Sequence, residues 1–428
     1  MGTTTLAAGR AETDVAGDAA AGRFRRLWAA LTVALFGAQV SALALPLTAA
    51  VWLGASPFQM GMLAAIGHAP WLLCSLPLGV WIDRARRLRP ILVAADLGRA
   101  VVLGAIPVAS LLGGLGFELL CVVALLAGVL AVVFDVAHYA YVPSVVDRAR
   151  LVEANGKIQV SYSVAESTGP GLAGLLVQAV TAPLAVAATA ASFVASAALL
   201  AAPEAPEPPR PVSAVRAGFR AETGEGVRAL LGHRLLRPIV VASAAASLFV
   251  EAVRAVYVLF AARDLGLDAA ELGLVLAVGG IAAVPGGLLA ERVANRVGFG
   301  PAVCWGWVTE GAALLLVPLA QGNAAVAILV AAQAIGGFAG AIANVNQWSL
   351  RQAVTPDRLQ ARVTASHRFL VYGAYPLGAL LGGTLATSIG LRPALFACAV
   401  AAALAPLWLL ASPIRSLRVA PTGERRES

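Results

Sequence analysis

Apolar residues occupy this chain in long blocks separated by short polar loops. A hydrocarbon core ~30 Å thick needs about 20 apolar residues in a helix. Runs of that length recur at 27–53, 58–82, 90–112, 117–141, 158–180 and 183–202. After a polar interval they resume at 238–262, 272–290, 301–320, 323–348, 363–389 and 393–411. The pattern predicts an all-α integral membrane protein with 12 transmembrane helices, six on each side of the interval. The expected organisation is a flexible N-terminal tail (1–23), a six-helix bundle (24–202), a linker (203–237), a second bundle (238–412) and a C-terminal tail (413–428). The linker opens on PEAPEPPRP, a stiff extended segment. It continues with apolar and basic residues at helical spacing, as in an amphipathic helix lying on a membrane surface; His233 there is expected at the interface.

Composition narrows the class further. Charged residues make up 13% of the chain and mean hydropathy is +0.82, whereas a soluble domain carries about 25% charge. The net charge of +8 does not point to nucleic acid, because the basic residues sit in short loops between apolar runs. Of 31 lysines and arginines, 26 fall in the two tails and the loops on the same side as the tails. By the positive-inside rule that side is cytoplasmic, so both termini are expected there. The opposite side holds only Arg263 and Arg392. Cys74, Cys121, Cys304 and Cys398 lie far apart in apolar runs and read as packed small hydrophobes, with no metal-ligand spacing. The first apolar run is too long for a cleavable signal.

The two sets of spans resemble each other. Pro77-Leu-Gly79 corresponds to Pro285-Gly-Gly287, and Asp83 to Glu291. Pro90 and Pro107 have the spacing of Pro301 and Pro318, while Arg150-Leu151 corresponds to Arg358-Leu359. Several matches in register indicate two parallel six-helix repeats, a transporter architecture.

The loop GVWIDRARRLRP (79–90) resembles the signature of the major facilitator superfamily between its second and third helices, roughly G-x-x-x-D-R-x-G-R-R. Gly79, Asp83, Arg84 and Arg87 match it, and Arg86 stands where a glycine is usual. Gly287, Glu291, Arg292 and Arg296 form a degenerate second copy. The phrases LPLGVWIDRARRLRPILVAADLGRA and NVNQWSLRQAVTPDRLQARV are similar to the exporter branch that includes siderophore (enterobactin) and macrolide efflux proteins. The resemblance implies that this loop clamps the two halves together on the cytoplasmic side. Glycine would permit close helix approach, Asp83 would face a helix N-terminus, and the arginines would pair with acids; arginines that only set topology are the plainer reading.

Charges within spans need a reason, since a central Asp or Arg costs about 2.5 to 3.5 kcal/mol. Asp96 and Arg99 share a helix face, as do Asp135 and His138, and Arg368 opens the eleventh span. All five lie near the tail side and are assigned to a gate network. Glu166 lies at mid-depth with no cation at helical spacing in its own span. The resemblance sets its helix beside a central cavity, so it is either a proton carrier or a structural hydrogen-bonding group. Glu251 and Arg254 are spaced for mutual pairing, as a coupling site or a structural ion pair. Glu310 belongs to a helix that is peripheral in the family. Gln39, Gln333 and Asn344 are cavity candidates or interhelix glue.

GPGLAG, from Gly169 through Pro170 to Gly174, satisfies the dinucleotide pattern but follows no strand and contains a proline. It resembles the family's fifth-helix bend motif, which permits bending and tight packing. The pairs Gly336/Gly340 and Gly378/Gly382 read as packing sites, and His68 and His367 as helix-end residues. No nucleophile–base pair, metal cluster or phosphate loop is visible, so neither an enzyme nor a cofactor is expected. The expected activity is proton-coupled export of a small amphiphilic molecule, such as an antibiotic, siderophore or metabolite. An uptake carrier of the same fold is the alternative, and a membrane enzyme or receptor the remote one. The expected setting is a monomer in a bacterial cell membrane, handling small molecules and protons.

Overall fold

The computed structural model describes residues 3–146, 150–202 and 227–418. These are helical, with no strand among them. The first half contains α1 (Thr3–Leu47), α2 (Pro57–Leu73), α3 (Ser75–Asp83), α4 (Arg89–Leu111), α5 (Phe117–Val145), α6 (Leu151–Ala179) and α7 (Ala182–Ala201). The second contains α8 (Leu236–Leu259), α9 (Ala269–Val297), α10 (Phe299–Leu314), α11 (Ala325–Val354), α12 (Asp357–Ile389) and α13 (Leu391–Leu404). Most of the linker, including Arg210, Arg216 and Arg220, lies outside the described residues. Residues 227–232 are helical, and Leu230 is buried with Leu236, Val240 and Val363 of the second half.

Among the described residues ten helices are long and apolar enough to cross a membrane. The second span is broken near Cys74, where two helical pieces meet at 48°, and counts as an eleventh if the pieces act together. The remaining rod is α6, ~43 Å long at 1.5 Å per residue, but Glu153, Lys157, Glu166 and several hydroxyl residues make it too polar to qualify. Large apolar side chains such as Val101, Leu111, Leu288 and Leu377 face outward. Such a surface belongs in lipid, and the chain is a multi-span integral membrane protein.

The repeat is deeper than the matching prolines and glycines. α1 runs into a π-helical turn at Thr48–Trp52, and α8 into another at Phe260–Asp264. Each is followed by a glycine at φ +68°, Gly54 and Gly266, a conformation that side chains resist. Each next helix then starts with a reciprocal capping box, Ser56 with Gln59 and Asp268 with Glu271. All these features recur 212 positions later, whereas Asp83 and Glu291 are 208 apart. The first half therefore has one extra turn between cap and acid, and that rod is the broken one.

The core places the opening. One large apolar cluster unites both halves at the end distant from the arginine-rich loops, with Leu43, Met60 and Ile106 joined to Phe260, Leu272 and Leu329. At the arginine-rich end the clusters separate. Leu27, Ile82, Leu92 and Phe134 pack within the first half, and Ile239, Trp307 and Leu409 within the second. The halves are sealed at one end and parted at the other.

The seal depends on small residues. A Cβ on Gly61 of α2 would lie 2.4 Å from the Ala379 carbonyl oxygen and 2.9 Å from Gly383 Cα on α12. A Cβ on Gly174 of α6 would lie 2.3 Å from the Ala269 carbonyl oxygen and 2.9 Å from Gly273 Cα on α9. Backbones this close leave no room for side chains, as in small-residue membrane packing. Arg263 adds a polar tie, its Nη2 donating to the Ala50 carbonyl at 2.7 Å. Arg392 donates to the Pro318 carbonyl at 2.9 Å and lies over the Phe260 ring. Both arginines of the arginine-poor side are thus held by backbone carbonyls.

Candidate functional site

Between the parted ends lies a cavity of ≈ 550 Å³. The first half contributes Trp71, Asp135 and Tyr139 to its walls, and the second contributes Arg351, Arg368 and Tyr372. Tyr372 packs edge-on against Trp71 at 6.5 Å and lies 5.3 Å from Tyr375. Asp135 is within electrostatic reach of Arg368 across the gap. The volume and the apolar lining with a few polar groups suit a drug-sized ligand.

A second group of polar residues sits deeper, toward the sealed end. Arg254 of α8 is within electrostatic reach of Glu251 on its own helix, Glu166 on α6, and Glu310 on α10. The ion pair that spacing predicts between Glu251 and Arg254 is not formed. Glu251, 5% exposed, instead accepts a hydrogen bond from His68 Nε2 of α2 at 3.1 Å. His68 also meets the Tyr375 ring edge-on at 5.4 Å. It is therefore an inter-half partner and not merely a helix-end residue. Glu310 is seated inside the second half, its carboxyl against Gly340 of α11, 2.8–2.9 Å from where a Cβ would stand. Three carboxylates are thus within electrostatic reach of one exposed arginine, and one of them is bonded to a histidine of the other half.

The expected gate network divides. Asp96 is fully buried inside the first half, paired with Arg99 and accepting from the Ser196 hydroxyl at 2.6 Å. The Arg99 guanidinium is sandwiched between Phe134 and Phe193 at 4.5 and 4.1 Å. Two buried charges paired with each other inside their own bundle form a structural clasp. His138 is buried between the Phe134 and Tyr139 rings. Only Asp135 and Arg368 face the gap.

The signature loop is disengaged. Asp83, Arg84, Arg86 and Arg87 are exposed, and among the described residues none of the four forms an ion pair. Nothing lies within 4 Å of a Cβ built on Gly79 or Gly287, so the close helix approach expected there is absent. The ends that carry these glycines are the parted ones. Arg89 has a separate role: it donates to the Leu200 and Ala202 carbonyls, capping the negative end of α7. Arg292 and Arg296 of the second copy are exposed as well, and Arg358 lies among residues whose side chains are not described.

The remaining candidates divide between packed and exposed positions. A Cβ on Gly169 would lie 2.5 Å from Gln39 Cγ, so α1 and α6 cross closely there, and α6 continues helically through Pro170. The Gln333 amide lies against Gly279, and Gly378 and Gly382 seat against the α8 backbone. Asn344 is exposed, whereas its neighbour Asn346 is buried and donates to the Ala290 and Ile342 carbonyls. Gln347 Nε2 and His367 Nε2 lie 3.3 Å apart, joining α11 to α12.

Residues 19–423 match the family described as transmembrane secretion effectors, of the major facilitator type. The chain belongs to that family. It is therefore a transporter and not an enzyme. This secretion-effector chain is 26% identical over 354 residues to the multidrug efflux pump Tap of Mycolicibacterium fortuitum, covering 79% of this chain and 83% of that protein. Among solved structures it resembles the nucleoside transporter NupG (TM-score 0.71, 13% identity, 91% of this chain and 98% of that one). It is equally close in fold to a bacterial homologue of the iron transporter ferroportin in its inward-facing state (TM-score 0.71, 16% identity, 91% and 98%). A bacterial homologue of the lysosomal transporter Spinster, inward-facing and unoccupied, follows at TM-score 0.69 and 16% identity, over 92% and 97%. At such identities these structures establish the fold of a secretion effector and nothing about cargo.

Proposed function

We propose that this protein is a proton-coupled exporter of small amphiphilic molecules, working by alternating access in a bacterial cell membrane. In this reading twelve spans cross the bilayer, α6 among them because its polar face lines the gap, and both termini are cytoplasmic. The parted end is then the cytoplasmic one, and the molecule is ready to load. Loading at the arginine-rich mouth and release after the seal opens moves cargo outward, in keeping with the family description and with the efflux relative. The protein acts as a monomer.

The observation that supports this most is the mid-depth cluster. Three carboxylates, Glu166, Glu251 and Glu310, share one arginine at a depth where unpaired charge is expensive. Such a surplus of acid is relieved by taking up protons. Glu251 is bonded to His68 of the opposite half, so its protonation weakens the contact across the seal. Proton entry thereby becomes opening. Glu166, facing the same arginine from the first half, is the second proton site. When the seal opens and the arginine-rich ends close, Gly79, Asp83, Arg84 and Arg87 engage the second half.

The deciding experiment is efflux from proteoliposomes under an imposed pH gradient, using a compound to which a deletion strain has become sensitive. Acid-outside efflux in this protein, lost in Glu251→Gln with normal insertion, is the expected result. Uptake in the same orientation, or efflux indifferent to the gradient, would replace this reading with that of a carrier for entry or of a uniporter.

A further inference from the structure

We propose that the cavity at the parted end is built for an anion: an amphiphile with one carboxylate, phosphate or sulfonate group and an aromatic or aliphatic body. This rests on the cavity reading above and names the class of cargo. The carrier of the anionic site is Arg351. It lines the cavity from the end of α11 and is only 4% exposed. Its Nε and Nη1 are buried without a hydrogen-bond partner. A buried guanidinium with unmade bonds is costly, and natural proteins pair it.

Among the described residues none pairs with Arg351 as a counter-charge. The Trp348 ring lies 5.6 Å from the guanidinium carbon. Arg368 and His367 of α12 are within electrostatic reach. The histidine is engaged with Gln347 at 3.3 Å, while Arg368 looks across to Asp135. The charged side chains lining the cavity are therefore Asp135, Arg351 and Arg368, and one positive charge is left over. A planar guanidinium suits a carboxylate or phosphate in particular. Opposite it, Trp71, Tyr139, Phe369 and Tyr372 supply the apolar wall. The anion could come from a soluble compound or a lipid headgroup; the chemistry is shared.

The test uses two probes with one aromatic body: 1-anilinonaphthalene-8-sulfonate and N-phenyl-1-naphthylamine, which lacks the sulfonate. Binding is measured by equilibrium dialysis against the full chain in phosphatidylcholine nanodiscs, with empty nanodiscs subtracted and no ion gradient. The wild type is expected to favour the sulfonate by about tenfold or more, as a charge-assisted contact implies. Arg351→Gln is expected to erase that preference while the neutral probe binds as before, and Arg351→Lys to keep part of it. Thermal stability of Arg351→Gln should be unchanged or raised, since a buried unpaired charge is removed. Equal binding of both probes by the wild type overturns the proposal without any variant, and so does an undiminished preference in a folded Arg351→Gln. If phosphatidylglycerol in the nanodiscs displaces the sulfonate in the wild type but not in the variant, the anion site stands and its source is lipid. Because no transport is measured, a failure here leaves proton-driven export untouched, and a failure of export leaves the site intact.

Discussion

His68 and Glu251, 183 positions apart in the chain, meet at 3.1 Å across the boundary between the two halves. The bond belongs to the sealed arrangement, and a molecule that opens at the other end must break it. A hydrogen bond to a charged group contributes about 1.5–3 kcal/mol, which is roughly a tenfold to hundredfold shift in a two-state population. His68→Ala and Glu251→Gln are therefore expected to slow gradient-driven efflux by about tenfold or more. Exchange of labelled for unlabelled cargo, which needs no net proton movement, should persist in Glu251→Gln. Loss of exchange and efflux together would assign the pair to folding alone.

Asp96 and Arg99 lead to the opposite outcome. Their clasp lies wholly within the first half, and removing one member strands a buried charge at a cost of about 3–5 kcal/mol. Asp96→Ala should lower the melting temperature and yield of the purified protein markedly. Transport per folded molecule should change little. A normal melting temperature with abolished transport would return this pair to the gate.

Gly61 seals one end and Gly79 borders the other, and leucine separates their roles. At Gly61 there is no space for a side chain, so Gly61→Leu should prop the sealed end apart and expose nearby engineered cysteines to a membrane-impermeant thiol reagent. Gly79 has open space around it in this conformation. Gly79→Leu should therefore keep the fold and ligand binding while turnover falls. Wild-type turnover in Gly79→Leu would mean that the arginine-rich ends never close over this residue.

Much of this was legible in the sequence, for identifiable reasons. Membrane helices announce themselves because every residue facing lipid must be apolar. Glu166, Glu251 and Arg254 stood out because charge at mid-depth is rare. Pairing was less legible. Helical spacing suggested Glu251 with Arg254, yet the carboxylate reached a histidine on another helix, and spacing within one span carries no information about neighbours 183 residues away. Glu310 was set aside by analogy with a peripheral helix, although Gly340 opposite it signals a side chain seated against the next helix. The recurring LGASPFQ and LGLDAAE, with glycine then Gln or Glu five places on, were the readable trace of the repeated turn. Arg351 looked like one more topogenic loop arginine, and only burial distinguishes it.

The account stands or falls on reciprocal motion of the two ends. Spin labels at Arg84 and Arg292 report the parted end, and labels at Trp52 and Asp264 the sealed one; all four sites are exposed. Distances measured by double electron–electron resonance, in a cysteine-free background, are compared before and after acidification with a transported compound present. The first distance should shorten while the second lengthens. Two distances that stay fixed, or that change in the same direction, would contradict alternating access in this molecule.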